Sequence, residues 1–157
     1  MGELEELHAS ILTRLRSIVT AVEELDPAQL NAMPEVEGTN SPYVLAAHAL
    51  GNARAWVLGI ACEQDIARDR PGEFASSGPT AEALRASLTR LESEIEAAFA
   101  RGLDLDKRIT PRQDLWGPNP AREITVRRAL IQVIEHASLH LGHLEITRDV
   151  LRAAADT

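Results

Sequence analysis

The stretch Glu135-His136-Ala137-Ser138-Leu139-His140-Leu141-Gly142-His143 contains three of the chain's five histidines. On a helix, His136 and His140 lie one turn apart on one face, and His143 returns to nearly the same face. The apolar residues around this stretch recur at steps of three, four or seven: Val126, Leu130, Val133, Ala137, Leu141, Leu144 and Leu151. This spacing predicts a long amphipathic helix over about 126–155, with the histidines on or beside its buried face.

Three more helices are predicted upstream of this one. Apolar residues step by three and four through residues 3–25 and again through about 81–101, which predicts one buried face for each helix. Residues 42–62 are almost entirely small and apolar, which is typical of a central, buried helix. Capping signals mark the starts of the last three helices: Asn40-Ser41-Pro42, Thr80 and Thr125.

The predicted fold class is all-α, a four-helix bundle formed by a single domain over residues 1–157. Residues 63–79 and 103–124 are predicted to be long loops because they contain prolines and glycines and lack helical periodicity. Because such a connection can run the height of a bundle, the second and third helices are predicted to be parallel, in up-down-down-up order. Up-and-down packing with short loops is the alternative. Trp116, in the second loop, is expected either to plug one end of the core or to line a pocket.

The composition indicates a soluble globular protein, with 45% hydrophobic and 25% charged residues. The net charge of −8 argues against non-specific nucleic-acid binding, which requires a basic face. The acidic N-terminus does not resemble a signal peptide, and no long uncharged apolar stretch predicts a membrane span. A single cysteine, Cys62, excludes an intramolecular disulfide and a cysteine-based zinc site. We therefore expect a cytoplasmic protein with small-molecule partners.

The histidines predict a metal site formed between two helices. His136 and His140 supply two imidazoles, and His48, on the inward face of the second helix, supplies a third. Three neutral imidazoles with one open position are the usual ligand set of a catalytic zinc site. The alternative is three hydrogen-bonded histidines without a metal. His143 is predicted to support a metal ligand or to form part of a pocket wall, because three histidines on one straight helix cannot readily reach one ion.

The other polar residues near these histidines carry weaker expectations. Asn52, one turn after His48, could hydrogen-bond a ligand within the core, and Arg54 is either an anchor for an anion or simply exposed. Cys62 is expected to act as a small hydrophobe and His8 to lie on the surface of the first helix. No Glu or Asp is expected to point inward beside the histidines. A di-iron carboxylate site and a His-Glu-x-x-His protease site are excluded because their motifs are missing.

Two motifs, Ala46-Ala47-His48-Ala49-Leu50-Gly51-Asn52 and the stretch from Glu135 to His143, resemble the DinB-like superfamily, and the resemblance covers essentially the whole chain. It implies an up-down-down-up four-helix bundle, frequent homodimers, and a divalent metal, most often zinc or nickel, held by His48, His136 and His140. His143 stands where the family often has a Gln. Characterised relatives include maleylpyruvate isomerases that use mycothiol and thiol transferases that use bacillithiol.

Three hypotheses for the function follow. The first is a metal-dependent enzyme, a thiol S-transferase or isomerase, in which the metal lowers the pKa of a low-molecular-weight thiol such as mycothiol or bacillithiol. The second is a non-enzymatic, metal-stabilised binding or stress-response protein, and the third is a bundle whose metal motif has lost its chemistry. Metal-assisted hydrolysis is disfavoured because it normally needs a carboxylate base beside the metal. The second helix is too apolar to face water, so it is expected to be covered either within the monomer or by the partner in a homodimer.

Overall fold

The computed structural model describes residues 2–155 and is 67% helical with 3% strand. The all-α prediction is therefore confirmed. The helices are α1 (Glu3–Glu23), α2 (Pro27–Asn31), α3 (Pro42–Arg54), α4 (Arg70–Phe74), α5 (Glu82–Phe99), α6 (Gln113–Trp116) and α7 (Val126–Ala155). A π-helix, Ala55–Ala61, continues α3 without a break. Two short strands, β1 (Arg108–Ile109) and β2 (Ile124–Thr125), pair in antiparallel fashion.

α3 and α7 begin at their predicted caps. The prediction that Thr80 caps α5 is wrong, because the N-cap residue is Ala81, which makes no side-chain cap hydrogen bond. The Ser41 hydroxyl accepts a hydrogen bond from the Val44 amide at 3.2 Å, with Pro42 in the first turn. The Thr125 hydroxyl accepts one from the Arg128 amide at 3.1 Å and begins α7. These bonds satisfy amides that have no partner within the helix.

The prediction that residues 63–79 and 103–124 are plain loops is wrong. The first contains α4, and the second contains β1, α6 and β2. These elements are only two to five residues long, so they are too short to show a periodic pattern in the sequence. α4 starts at a local cap, since the Asp69 carboxylate accepts a hydrogen bond from the Gly72 amide at 3.0 Å.

The core is aliphatic, and α3 with its π-helical continuation lies at its centre. Ala46, Ala53, Val57 and Leu58 on this segment are almost completely buried. By length and composition Pro42–Ala61 could cross a membrane, but 78% of its most apolar window is buried inside the protein. The core helix of a globular protein passes the same test, so the apolar character of this segment is explained by burial.

The four long helices pack against one another, and polar side-chain pairs bridge several of these contacts. α1 packs against both α5 and α7, and α3 also packs against both. The polar pairs that mark these contacts are Glu3–Arg127, Arg14–Ser138 and Glu24–Arg148 between α1 and α7, Arg16–Glu92 and Glu23–Arg85 between α1 and α5, and Arg54–Glu94 between α3 and α5. The contacts place the middle of α3 against the middle of α7, where the histidines lie.

Candidate metal centre

The structure brings His48, His136 and His140 together. His48 is 5% exposed on α3, as its inward placement predicted, and the two α7 histidines are half-buried. The ring of His48 lies 5.1 Å from each of the other two rings, which are 4.3 Å apart. One possible ligand atom from each residue lies within 4.8 Å of the others.

The donor set fits a divalent ion with a preference for nitrogen. The Nε2 atoms of His136 and His140 are 3.1 Å apart. Two ligands of one tetrahedral ion at 2.0–2.1 Å would lie about 3.3 Å apart, so little movement is needed to bind one. Burial, followed by the neighbouring histidines, lowers the pKa of His136 to about 3 and that of His140 to about 4. Both imidazoles are therefore neutral at physiological pH, which is the form that binds metals.

A carboxylate that the sequence analysis did not foresee supports the cluster. The Glu73 side chain, on α4, accepts a hydrogen bond from His48 Nδ1 at 2.8 Å and two from Arg68, at 2.8 and 2.9 Å. All three side chains are nearly buried. Because a carboxylate only accepts, Nδ1 carries the proton and Nε2 of His48 is left free for a ligand role. The expectation of no inward acidic residue beside the histidines is thus wrong.

The charge of Glu73 is maintained despite its burial. Burial alone would raise the pKa of this carboxyl, but the hydrogen bonds from His48 and Arg68, with the positive charge of Arg68, lower it below its ordinary value. Local sequence contained one usable signal: Asp69-Arg70-Pro71 has the same cap-then-proline pattern that marks the start of α3. A helix that starts there places Glu73 one turn after Asp69.

The remaining neighbours of the cluster form its outer edge. His143 is exposed, and its ring lies 6.0 Å from that of His140. The ring of Phe74 lies 4.6 Å from that of His48, and the guanidinium of Arg70 lies 5.0 Å from the Phe74 ring. The outer edge therefore offers an aromatic and a cationic group.

The sequence analysis also named Asn52, Arg54, His8 and Cys62, and the structure places each of them in a different environment. Asn52 is 7% exposed, and its Oδ1 has no hydrogen-bond partner within residues 2–155. Arg54 forms an ion pair with Glu94 at 3.2 Å and is partly exposed. His8 is half-buried against Phe99, so its expected surface position is wrong. The half-buried Cys62 agrees with its role as a small hydrophobe.

Trp116 lines a pocket. Its ring packs on that of Trp56, with centroids 5.0 Å apart, and both side chains line a cavity of about 220 Å³ next to α7. Trp116 also packs against the hydrophobic core, so its environment includes both alternatives left open by the sequence.

One comparison with known proteins identifies a relationship. The sequence model of the family described as Mycothiol-S-transferase matches residues 6–153, which is nearly the whole chain. No curated protein and no solved structure matches the chain at a significant level.

Proposed function

The chain belongs to the mycothiol S-transferase family, a DinB-like family, and from this we propose that it is a metal-dependent transferase of a low-molecular-weight thiol. The family indicates a mycothiol S-transferase-like function with small-molecule substrates. Metal dependence is supported by the three histidines His48, His136 and His140, whose possible ligand atoms lie within 4.8 Å of one another.

When bound, a zinc or nickel ion would lower the pKa of the substrate thiol and favour its thiolate at neutral pH. His48, His136 and His140 would hold this ion as neutral ligands, so they leave its positive charge available to an anionic sulfur ligand. Glu73 fixes the orientation of the His48 ring through Nδ1, and Arg68 fixes Glu73. Half-burial of His136 and His140 keeps the site partly shielded from water.

The transfer itself needs only the thiol and an electrophile. The sulfur forms a bond to an electrophilic carbon of the second substrate, and the bond to the leaving group breaks with its electron pair. The thiol proton is released to solvent. Mycothiol is the thiol that the family indicates, and bacillithiol is the alternative.

Hydrolysis is the rival reaction, and Glu73 is the carboxylate that it would require. Both oxygens of Glu73 already accept hydrogen bonds, Oε1 from Arg68 and Oε2 from Arg68 and His48. Glu73 contacts the Nδ1 side of the His48 ring, where it can orient that ring as a metal ligand. A carboxylate that acts as the base for hydrolysis would instead need a free oxygen facing the open coordination position of the metal.

The test measures metal content and thiol transfer in protein purified without a histidine tag. His48→Ala and His140→Ala should each lose the bound zinc or nickel, about one ion per chain, and also lose conjugation of mycothiol to a chlorinated aromatic electrophile. His143→Ala removes an exposed imidazole from the same helix and is the matched control for metal binding, with metal content retained. Unchanged metal content in His48→Ala would refute the three-histidine site. Binding without transfer of mycothiol, bacillithiol or glutathione would favour a non-enzymatic binding protein.

We also propose that the single domain is the up-down-down-up four-helix bundle of the DinB-like superfamily. The pairs Glu3–Arg127 and Glu24–Arg148 support a parallel α1 and α7, and Arg16–Glu92 with Glu23–Arg85 supports an antiparallel α1 and α5. Cross-linking of cysteines introduced at positions 54 and 94 would support parallel α3 and α5. An experimental structure with α3 and α5 joined as a tight antiparallel hairpin would refute this order.

The assembly and location of the protein are part of the same proposal: a cytoplasmic homodimer without nucleic-acid or membrane partners. The net charge of −8 supports the absence of nucleic acid. Pro42–Ala61 is buried within the chain, so this segment needs no partner to cover it. Exposed apolar side chains on α7 support the dimer instead: Leu139, Ile146 and Val150. Light scattering that finds a monomer at high micromolar concentration would exclude the dimer.

A further inference from the structure

The two tryptophans of the chain line one cavity next to α7. Trp56 is 6% exposed in the π-helix that continues α3, and Trp116 is half-buried at the end of α6. Apart from Ile124, the other residues that line the cavity are polar or basic: Asn119, Arg122, Arg128 and Gln132. An aromatic surface with several hydrogen-bonding side chains is typical of sites that bind ligands rich in hydroxyl groups.

The cavity lies further along the same two helical segments as the histidines. Along α3 and the π-helix, residues recur at steps of four: His48, Asn52 and Trp56. Along α7 the corresponding residues are His140, His136, Gln132 and Arg128. By the helical rise, Gln132 lies about 6 Å along α7 from His136, and Arg128 about 12 Å. The histidine cluster and the cavity are therefore neighbouring parts of one α3–α7 interface.

Asn52 lies between the two, one turn after His48 and one turn before Trp56. Its Oδ1 is buried and accepts no hydrogen bond within the described part of the chain. Buried polar atoms nearly always have a partner, so this acceptor is open to a donor from a water molecule or a ligand. An amide N–H or a hydroxyl of a bound ligand would satisfy it.

The loop that closes the cavity is held in shape by one side chain. The Gln113 amide nitrogen donates to the carbonyls of Gly117 and Asn119, both at 2.9 Å, and its oxygen accepts from the Ala121 amide at 2.8 Å. Gly117 has a φ of +129°, a backbone conformation that other residues rarely adopt. Arg122 follows this loop, and within residues 2–155 its guanidinium has neither a hydrogen bond nor an ion pair. Its donors are thus available to a ligand.

We propose that this cavity binds the sugar part of the thiol substrate while the thiol reaches the histidine cluster. The inference rests on the proposed function. Mycothiol carries its sulfur on an acetylated cysteine joined to a glucosamine–inositol unit, so its sulfur and its hydroxyl-rich rings are separated along the molecule. The volume of about 220 Å³ is below the ~300 Å³ of pockets for drug-sized ligands, which suits one sugar ring.

Tryptophan fluorescence reports directly on this cavity, because both tryptophans line it. The probe is the thiol-free glucosamine–inositol unit. We expect it to change the fluorescence saturably in the wild type and in His140→Ala, and to bind about tenfold more weakly in Arg122→Gln. Arg90→Gln makes the same change in a separate cavity between α3 and α5 and is the matched control, with unchanged binding. No saturable change in the wild type would overturn the inference.

Kinetics separates this inference from the proposed function. Gln132→Ala and Trp116→Ala should raise the KM for mycothiol several-fold without changing the rate with N-acetylcysteine, which has no sugar. A variant that fails to fold would lower both rates, so Arg122→Gln, on the surface, serves as the second variant. Transfer of mycothiol with an unchanged KM in Arg122→Gln, Gln132→Ala and Trp116→Ala would overturn the sugar site while the proposed function stands. Saturable binding of the sugar unit without any transfer would support the site and refute the transferase.

Discussion

At the scale of single residues, the candidate metal centre depends on the contact between His48 and Glu73. The carboxylate holds Nδ1 of the ring at 2.8 Å, and Arg68 in turn holds the carboxylate. Outer partners of this kind set the tautomer and orientation of a ligand and increase its basicity.

Replacement of Glu73 should weaken metal binding without removing a ligand. Glu73→Gln keeps the size of the side chain but loses its charge, and we expect metal affinity to fall about 10–100-fold. Competition with a chelator of known affinity measures this change. Glu94→Gln, which removes a partly exposed carboxylate paired with Arg54, is the control with unchanged affinity. Equal affinities in the two variants would show that Glu73 does not support the site.

Cys62 should be unreactive at neutral pH and should not take part in thiol transfer. Burial raises the pKa of its thiol to about 11, only partly offset by the charge of Arg101. Because the thiolate is the nucleophile, alkylation by iodoacetamide should increase with pH up to about 11, and at pH 8 it should be roughly 100-fold slower than for an unperturbed thiol. A midpoint near 9 would contradict this. Cys62→Ala should retain transfer activity.

At the scale of elements, α4 has five residues and depends on a close approach to α3. A Cβ at Gly51 would lie 2.2 Å from Glu73 Oε1, so only glycine lets the carboxylate reach its position. The π-helix Ala55–Ala61 also affects which side chains meet. Its wider turns change the direction in which side chains after Arg54 point. Trp56 lies at its beginning and contacts Trp116.

Gly51→Ala should therefore lower metal affinity by displacing Glu73 from His48. Gly142→Ala, in the middle of α7, has no atom within 4 Å of the new Cβ and is the matched control. The control should increase the free energy of unfolding by about 0.5–1 kcal/mol and leave metal affinity unchanged. Denaturant unfolding and chelator competition measure the two quantities. If Gly51→Ala bound metal as tightly as Gly142→Ala, Glu73 would not be held by this close approach.

At the scale of the whole molecule, the candidate centre joins two helices that are distant in sequence. An ion held by His48 on α3 and by His136 and His140 on α7 would link the middle of the chain to its end. Binding to the folded state alone stabilises that state by mass action.

Removal of the metal should lower the unfolding temperature of the wild type. At a free metal concentration of 100 times Kd the stabilisation is about 2.7 kcal/mol, which corresponds to roughly 5–10 °C for a domain of this size. Calorimetry with and without a chelator measures the shift. His140→Ala should unfold at the same temperature under both conditions. A wild type whose unfolding temperature does not respond to the chelator would contradict metal binding at this centre.

The sequence by itself determined the long helices and the inward position of His48. Both follow from patterns between neighbours along the chain, since helical periodicity shows which face of each helix is buried. The same patterns predicted the caps at Ser41 and Thr125, where the donor and acceptor lie three residues apart.

Only the tertiary structure decided which groups surround the histidines. Glu73 reaches His48 from a position 25 residues away, and Trp116 meets Trp56 from a different connection. Glu73 belongs to a charged segment without periodicity, where a solvent-exposed loop is the ordinary expectation. Its burial becomes favourable only when His48 and Arg68 are both in place to compensate its charge, and that condition depends on the folded arrangement of α3 and α4.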